Sequence, residues 1–418
     1  MHSKTPLHFD AGPSSPPPKL FFSTPGQRIT LARERFFEEG VRPTGLVPDA
    51  VIQSWTRCVQ GRQQPGERIS FNPVTRSRIS ATLARSRALL DAAADDLGLL
   101  EATLAGTSCK AILTDRHGVV VHATRSEPKD GALMLLAGRV GVELAEEQVG
   151  TTAPGMVIKT GQLCSVYGAQ HFYNVTQVMY CAAAPIRDRH GQLVGVLDLS
   201  CESRPFRFDA AGMAHMVATA IENRLLCAQA TQHLVLRFQA SPALLNTPLE
   251  GLAAIDGDGC VAWINSAGAG LLGAGHERGS GLTAESAFGL GLAHLLDAAH
   301  GGGVIAHRVP NGLTLFLCAR LQAADGRWRG SPAALNASAQ ITVPVTVSPS
   351  RRESPASAAV AAVATASAGA PERTLQCANR DLIARTLEAC KGNVARAARE
   401  LGVSRGLIYR RLARNRPG

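Results

Sequence analysis

Arg405, Tyr409, Arg410, Arg411 and Arg414 crowd one short stretch near the end of the 418-residue chain. At helical spacing they leave the inward side to Ile408 and Leu412. Guanidinium forks of this kind pair with guanine edges and phosphate oxygens, which is chemistry suited to double-stranded DNA. At the start of such a helix Arg405 and Tyr409 are placed to read bases. Arg410, Arg411 and Arg414 are placed to hold phosphate, which orients a protein without specifying sequence. Ser404 caps this helix, and Gly402-Val403-Ser404 makes the turn ahead of it. Asn393 caps the preceding helix, where Val394, Ala397, Ala398 and Leu401 recur at one narrow face. Ile383, Leu387 and Cys390 outline a first helix, stopped by Lys391-Gly392. The expected DNA-contacting set is Asn393, Ser404, Arg405, Gly406, Tyr409, Arg410, Arg411 and Arg414. A solvated basic face on a small helical hairpin is the competing reading.

Other residues invite other chemistry. His171-Phe172-Tyr173 sets an imidazole and two aromatics on a loop near a sheet, a combination suited to enclosing a small polar ligand. A lone loop histidine on the surface is the plainer reading. Cys164, Cys181, Cys201 and His171 carry groups that suit zinc or iron. Zinc-type spacing is missing, however, and Cys181 sits in an apolar strand, so buried packing is expected. Gly268-Ala-Gly270-Leu-Leu-Gly273 matches a dinucleotide fingerprint and follows a strand. A true fingerprint needs a second strand ending in an acid, and HERGSGLTAESAFGLG contains none, so an ordinary turn and helix start is expected. No catalytic residue, metal ligand or cofactor is assigned.

Charge separates the ends of the molecule. From Glu372 to Gly418 there are 11 Lys+Arg against 4 Asp+Glu, so this tail carries +7 of the chain's net +10. A basic tail on a nearly neutral body points to nucleic acid at one end and small-molecule business elsewhere. The 10 cysteines include no CxxC pair and lie in apolar surroundings, the pattern of buried reduced thiols. No hydrophobic signal core opens the chain and no apolar run is long enough for a bilayer, so a cytoplasmic protein without membrane contact is expected.

The elements that position these groups follow from periodicity. Residues 1–44 hold a proline run read as disordered, then an amphipathic piece, RITLARERFFEEG, read as a short helix. Helical patterns anchored by Trp55 fill the next sixty-odd positions. From Cys109 the pattern alternates: CKAILTDRHGVVVHAT reads as a hairpin, and CSVYG, VMYCAAAPIRD and LVGVLDLSCE as three further strands. Between them runs a helical, glycine-punctuated stretch ending at VGTTAPGMVIKTG. An antiparallel sheet flanked by helices accounts for this order. Asp209 to about Ala240 reads as one long helix with Met213, Met216, Val217, Ala220, Ile221 and Leu225 on a stripe, usable against its own sheet and against a twin. EGLAAIDGDGCVAWINSAGAGLLG and GVIAHRVPNGLTLFLCARL supply a second set of strands, with Asn311-Gly312 a hairpin signal. Gly273 to Gly303 is poor in strand and helix formers. Residues 323–372 are an Ala/Ser/Pro linker.

Two resemblances join these pieces. SWTRC at Ser54 to Cys58, then LTDRHGVVV, VGTTAPG, AQHF and CAAAPIRDRHGQLVGVLDLS are similar, in order, to the GAF-type sensor of acetoin-catabolism-type activators. GNVARAARELGVSRGLIYRRL resembles the Fis-type helix-turn-helix that ends many bacterial sigma-54-dependent enhancer-binding activators. Asp256, Gly259 and Asn265 resemble a reduced PAS-like domain. The implied architecture is α+β and multidomain: a largely disordered segment 1–44, a GAF-like sensor 45–238, a PAS-like module 239–322, the linker 323–372 and a helix-turn-helix 373–418. The resemblance implies an effector site at Thr151, Thr152, His171, Phe172 and Cys181. Activators of this kind carry an ATPase module whose GxxxxGK[ST] loop holds nucleotide phosphates. None of Lys4, Lys19, Lys110, Lys129, Lys159 and Lys391 follows a glycine, so ATP hydrolysis is not expected. The resulting expectation is a dimeric, cytoplasmic transcriptional regulator, not an enzyme. Its partners are double-stranded DNA, a small-molecule effector, a second copy and RNA polymerase. The alternative is a GAF-type thiol redox enzyme or sensor with an accessory DNA-binding tail.

Overall fold

The computed structural model describes residues 24–126, 131–274, 281–322 and 328–329. The proline-rich start, the helix-turn-helix expectation and the expected Ala/Ser/Pro linker 323–372 lie outside these residues, save for Trp328 and Arg329 at the start of that linker, which form a strand. The described chain divides into two compact units, one running to Gln229 and taking in Thr247–Leu249, the other holding Ala230–Asn246 and the residues from Glu250 onward.

The first unit opens with four helices: α1 (Pro25–Phe37), α2 (Asp49–Gln60), α3 (Arg76–Arg85) and α4 (Arg87–Leu104). Thr24 and Gln27 form a reciprocal capping box on α1, with Pro25 preset for the first turn. The amphipathic piece within residues 1–44 is therefore a helix, and it is docked: Ala32 and Phe36 are buried in the same core as Val51, Ile52 and Trp55 of α2. Strands β1 (Cys109–Asp115) and β2 (Val120–Ala123) follow, then α5 (Ala132–Ala137), α6 (Glu146–Val149) and α7 (Ala153–Thr160). Strands β3 (Cys164–Tyr167), β4 (Met179–Arg187) and β5 (Leu193–Glu202) lead into α8 (Ala210–Ala228).

The five strands form one antiparallel sheet in the order β2-β1-β5-β4-β3. Alternation sends neighbouring side chains to opposite faces. Ala111, Leu113, Ala182, Ala184, Leu197 and Leu199 face α4 and α8. Ile112, Val166, Cys181, Ala183 and Val196 face the core shared with α1, α2 and α7. Both hairpins turn on the same device. Asp115 Oδ1 accepts from the backbone N–H of His117 and Val119, and Asp188 Oδ1 accepts from His190 and Gln192. In the first, Gly118 takes φ +85° while its α-carbon faces the Ala145 nitrogen, so a side chain there meets both strain and backbone.

Two expectations are corrected here. The long helix stops at Ala228, not near Ala240, because Leu234 to Gln239 are claimed as a strand by the second unit. On α8 the stripe faces its own sheet: Ile221 and Leu225 are buried and Met216 is left exposed. The cysteines are not all free thiols either. Cys109 and Cys201 sit directly opposite in the β1–β5 register, with α-carbons 4.5 Å apart, and are joined as a disulfide. Cys58, Cys164, Cys181, Cys227, Cys260 and Cys318 are free.

The second unit contains β6 (Leu234–Gln239), β7 (Gly251–Ile255), β8 (Val261–Ile264), α9 (Ser266–Leu272), α10 (Ala284–Phe288), α11 (Leu292–Gly301), β9 (Ile305–Arg308), β10 (Thr314–Gln322) and β11 (Trp328–Arg329). Its sheet runs β11-β10-β6-β7-β8, with β9 also paired to β10. Phe238 and Phe288 meet edge to face at 5.0 Å in its core. Asp256 repeats the hairpin device, and Asn265 caps α9 while accepting from Leu252. The stretch Gly273 to Gly303, poor in helix formers, nevertheless forms α10 and α11, each ending on a left-handed glycine. The fold is thus α+β with two antiparallel sheets.

Candidate functional site

A cavity of about 40 Å³ lies in the first unit, between the sheet and the helices that cover it. On the scale in which one water needs roughly 10–15 Å³, this suits about three waters or a ligand of a handful of heavy atoms. The sheet supplies Ile112, Met179, Cys181, Asp198 and Ser200 to its wall; α5 adds Leu133 and Ala137. Phe71, Leu144, Thr152, Pro154, His171 and Thr176 close the remainder.

Strand pairing assembles the polar part. Cys181 and Ser200 are opposite partners in the β4–β5 register, and Asp198 is two residues from Ser200, hence on the same face. The Ser200 hydroxyl lies 2.6 Å from Asp198 Oδ2 and 3.1 Å from Cys181 Sγ. It has one proton to give, and the carboxylate is the stronger acceptor. His171 Nε2 lies 3.5 Å from Cys181 Sγ, and its Nδ1 lies 3.0 Å from the Gly168 carbonyl. With Nδ1–H donating to that carbonyl, Nε2 is left to accept from the thiol.

Burial sets the charge states. His171 is 1% exposed and its imidazole is pushed down to about 4, chiefly by burial, with the nearby Arg33 charge adding to it. It stays neutral. Burial and the neighbouring Asp198 charge push the Cys181 thiol well above its ordinary value. A neutral imidazole beside a fully protonated thiol is a poor nucleophile, because the thiolate is the reactive form. The same burial raises the Asp198 carboxyl to about 7, against the help of the Ser200 hydroxyl. Its Oδ1 has no hydrogen-bond partner among the described residues.

Of the five residues expected at the effector site, Thr152, His171 and Cys181 line this cavity. Thr152 also caps α7, accepting from Gly155 N–H and donating to the Leu144 carbonyl. Thr151 is placed elsewhere: its hydroxyl is 2.7 Å from Ser54 Oγ, within a buried cluster in which Glu146 accepts from Ser54 and from Arg57. Phe172 is packed edge to face on Phe37 and Tyr173. His171 is buried, unlike an ordinary loop histidine, because its loop is tied down from two helices. Arg33 of α1 donates to the carbonyls of Ala169, His171 and Phe172 at 3.2, 2.7 and 3.1 Å. Trp55 of α2 donates to the Gln170 carbonyl at 2.8 Å. Arg33 also lies 4.7 Å over the Phe37 ring. Sequence reasoning missed Asp198, Ser200 and Arg33. For the first two the signal was present in VLDLS, where two polar residues share the phase of buried Val196.

Cys164 is apart from this group, with its thiol on Thr160 and the Gln162 carbonyl. Cys201 is bridged to Cys109. Among the described residues no group of three or more His, Cys, Asp or Glu side chains is arranged to hold a metal ion, and no helix is long and apolar enough to cross a membrane.

Both ends of the chain are similar to known proteins. Residues 24–222 match the family model "MimR, N-terminal domain", and residues 378–414 match "Bacterial regulatory protein, Fis family". The second match spans every residue of the expected DNA-contacting set. It is 30% identical over 226 residues to the acetoin catabolism regulatory protein of Cupriavidus necator, covering 53% of this chain and 34% of that one. It is 28% identical over 196 residues to the propane 2-monooxygenase operon transcriptional activator MimR of Mycolicibacterium smegmatis, covering 46% of this chain and 32% of that one. The matches thus span about a third of the length of these curated relatives. Among solved structures, a chain of the E. coli DhaR(N)-DhaL complex overlaps 65% of this chain and 99% of its own, at 16% identity and a TM-score of 0.41.

Proposed function

We propose that this protein is a sequence-specific DNA-binding transcriptional regulator in which the MimR-type domain binds a small metabolite and the Fis-type helix-turn-helix engages double-stranded DNA. The observation that carries the proposal is the pairing, in one chain, of a small cavity with an unpartnered buried acceptor in its wall and a matched DNA-binding motif. The printed names of the relatives, regulators and activators of catabolic operons, support it. Thr152, His171 and Cys181 act in the cavity, joined by Asp198 and Ser200. Arg405 and Tyr409 read bases, and Arg410, Arg411 and Arg414 hold phosphate, with Asn393 and Ser404 capping the helices and Gly406 in the first turn of the last one.

The protein acts without hydrolysing ATP and is a cytoplasmic homodimer on an inverted repeat, working by occupying DNA or by touching RNA polymerase. The thiol-enzyme alternative is disfavoured by the protonated Cys181 and neutral His171. The test is footprinting of the full chain on DNA upstream of its own gene, with and without candidate metabolites. A protected inverted repeat whose affinity changes with one metabolite is expected. Uniform, salt-sensitive binding of all DNA, unmoved by any metabolite, overturns the proposal.

A further inference from the structure

We infer that Cys109 and Cys201 form a reversible thiol–disulfide switch in the first unit, whose state sets how firmly helix α5 is held over the cavity. The inference goes beyond the proposed function and rests on it for one premise only. A DNA-binding regulator works in a reducing compartment, where a protein disulfide is ordinarily transient or redox-sensing and not a permanent staple.

Register preforms the couple. β1 pairs with β5 along all seven of its residues, from Cys109 opposite Cys201 to Asp115 opposite Gly195, so the strands themselves bring the two sulfurs together. Their α-carbons lie 4.5 Å apart, the spacing of a non-hydrogen-bonded antiparallel pair. The two sulfurs differ in access. Cys201 is 1% exposed, whereas Cys109, the first residue of β1, is half-buried. Cys109 is therefore the sulfur that an external thiol or disulfide reaches, and Cys201 the one that resolves the exchange. In oxidation the Cys109 thiolate attacks a low-molecular-weight disulfide and expels one thiolate; the Cys201 thiolate then attacks Cys109 Sγ and expels the second. Two protein thiols give up two electrons and two protons, which leave on the two released thiols.

The bridge sits where the cavity can feel it. Cys109 and Cys201 are the terminal rung of the β1–β5 ladder, and the next residue of β5, Glu202, points to the opposite face. There its Oε2 accepts from the Met134 backbone N–H at 2.9 Å, in the first turn of α5. Gly131, just ahead of α5, lies so close to the same carboxylate that a β-carbon would collide with it. α5 in turn lays Leu133 and Ala137 on the cavity and leaves Leu135 and Leu136 exposed. A helix of six residues is not stable by its own hydrogen bonds, so its seat depends on what holds it. Opening the bridge leaves the end of β5 held on the β1 side only as far as the Lys110–Ser200 rung, and loosens the carboxylate that seats α5.

The test takes the full-length protein through glutathione buffers of stepped reduced-to-oxidised ratio, with acid quenching, alkylation and peptide mass mapping. Cys109 and Cys201 should pass together from bridged to alkylated, and back, within about a hundredfold change in the exchange quotient, as mass action for one two-electron couple requires. Hydrogen exchange on the same samples should show the hydrogen-bonded amides of Met134, Leu135 and Gly138 exchanging about tenfold or more faster when the pair is reduced. Exposed Cys260 is the control, and Cys260→Ser should leave both readouts in place. Glu202→Ala should leave the glutathione transition where it was and make these amides fast in both states, which assigns the coupling to that carboxylate. A bridge that glutathione neither opens nor re-forms, or α5 amides that exchange alike in both states of the wild-type protein, overturns the inference. Neither result depends on a variant folding or on DNA. Specific DNA protected by a protein whose bridge never opens would sink the inference and leave the regulator reading standing, whereas a reversible pair in a protein that protects no specific DNA would do the reverse.

Discussion

Replacing Asp198 with asparagine should stabilise the ligand-free protein, and only toward alkaline pH. In the folded chain the carboxyl is raised from its ordinary 3.8 to about 7 by burial. Between those values the folded state keeps a proton that the unfolded chain has already released, so stability falls as pH rises through the interval. Above about pH 7 the folded protein carries a buried carboxylate and the full difference counts against it, about 4 kcal/mol at 1.36 kcal/mol per pH unit. Asparagine never acquires that charge. Its oxygen can still accept from Ser200, but its unpartnered amide N–H groups cost about 1–3 kcal/mol. The net gain at pH 8 is therefore about 1–3 kcal/mol, while near pH 4, where the wild-type carboxyl is neutral, the variant should be the less stable of the two. Urea denaturation of both proteins at pH 4, 6 and 8 measures this directly. Parallel stability curves across that range would refute the reasoning, since they would mean that Asp198 is ionised in solvent-like surroundings in both states.

Arg33→Ala should lose about 2–4 kcal/mol, because three carbonyls lose a charged donor, whereas Arg42→Ala, whose pair with Asp49 is exposed, should lose under about 1 kcal/mol; urea midpoints compare them. Reduction of the Cys109–Cys201 bridge should cost about 4.6 kcal/mol in the chain-entropy account, given a sequence separation of 92, and a urea midpoint unmoved by dithiothreitol would contradict the bridge. Arg405→Ala should lose about 1–3 kcal/mol on the best DNA site and relax base preference, while Arg411→Ala should weaken all sequences alike; loss in equal proportion on specific and random DNA for both would reverse those roles. Purified protein should show no DNA-stimulated ATP turnover, and turnover that survives repurification would contradict the proposal.

Hairpins were the most legible part of the fold. Asp115, Asp188 and Asp256 each announce a turn by a carboxylate followed by a glycine between alternating strands, and each makes the turn that its sequence describes. The end of α8 was not legible, because ENRLLCAQATQHLVLRFQ contains no proline or glycine to stop a helix. The break is made by Gln232 at φ +67° and by the sheet of the second unit, which takes LVLRFQ as its β6 strand. The disulfide depends on the register of two strands 92 residues apart and leaves no local trace. For the same reason Cys181, Asp198 and Ser200 become one site only after β4 pairs with β5, whereas His171 could be noticed by its type alone. Thr151 does not line the cavity, since its neighbour Thr152 faces it while Thr151 turns toward Ser54.

The docking of α1 bears on how genetic data from this protein are to be interpreted. A deletion that removes the residues before Pro48 takes away Ala32 and Phe36, uncovers Trp55 and Phe172, and frees the three carbonyls that Arg33 holds around His171. Under the proposed function such an allele would score as blind to the effector. The blindness would come from an unravelled wall, not from a lost contact with the effector. Amino-terminal truncations are therefore uninformative about effector recognition unless they begin ahead of Thr24, where the cap of α1 is still whole.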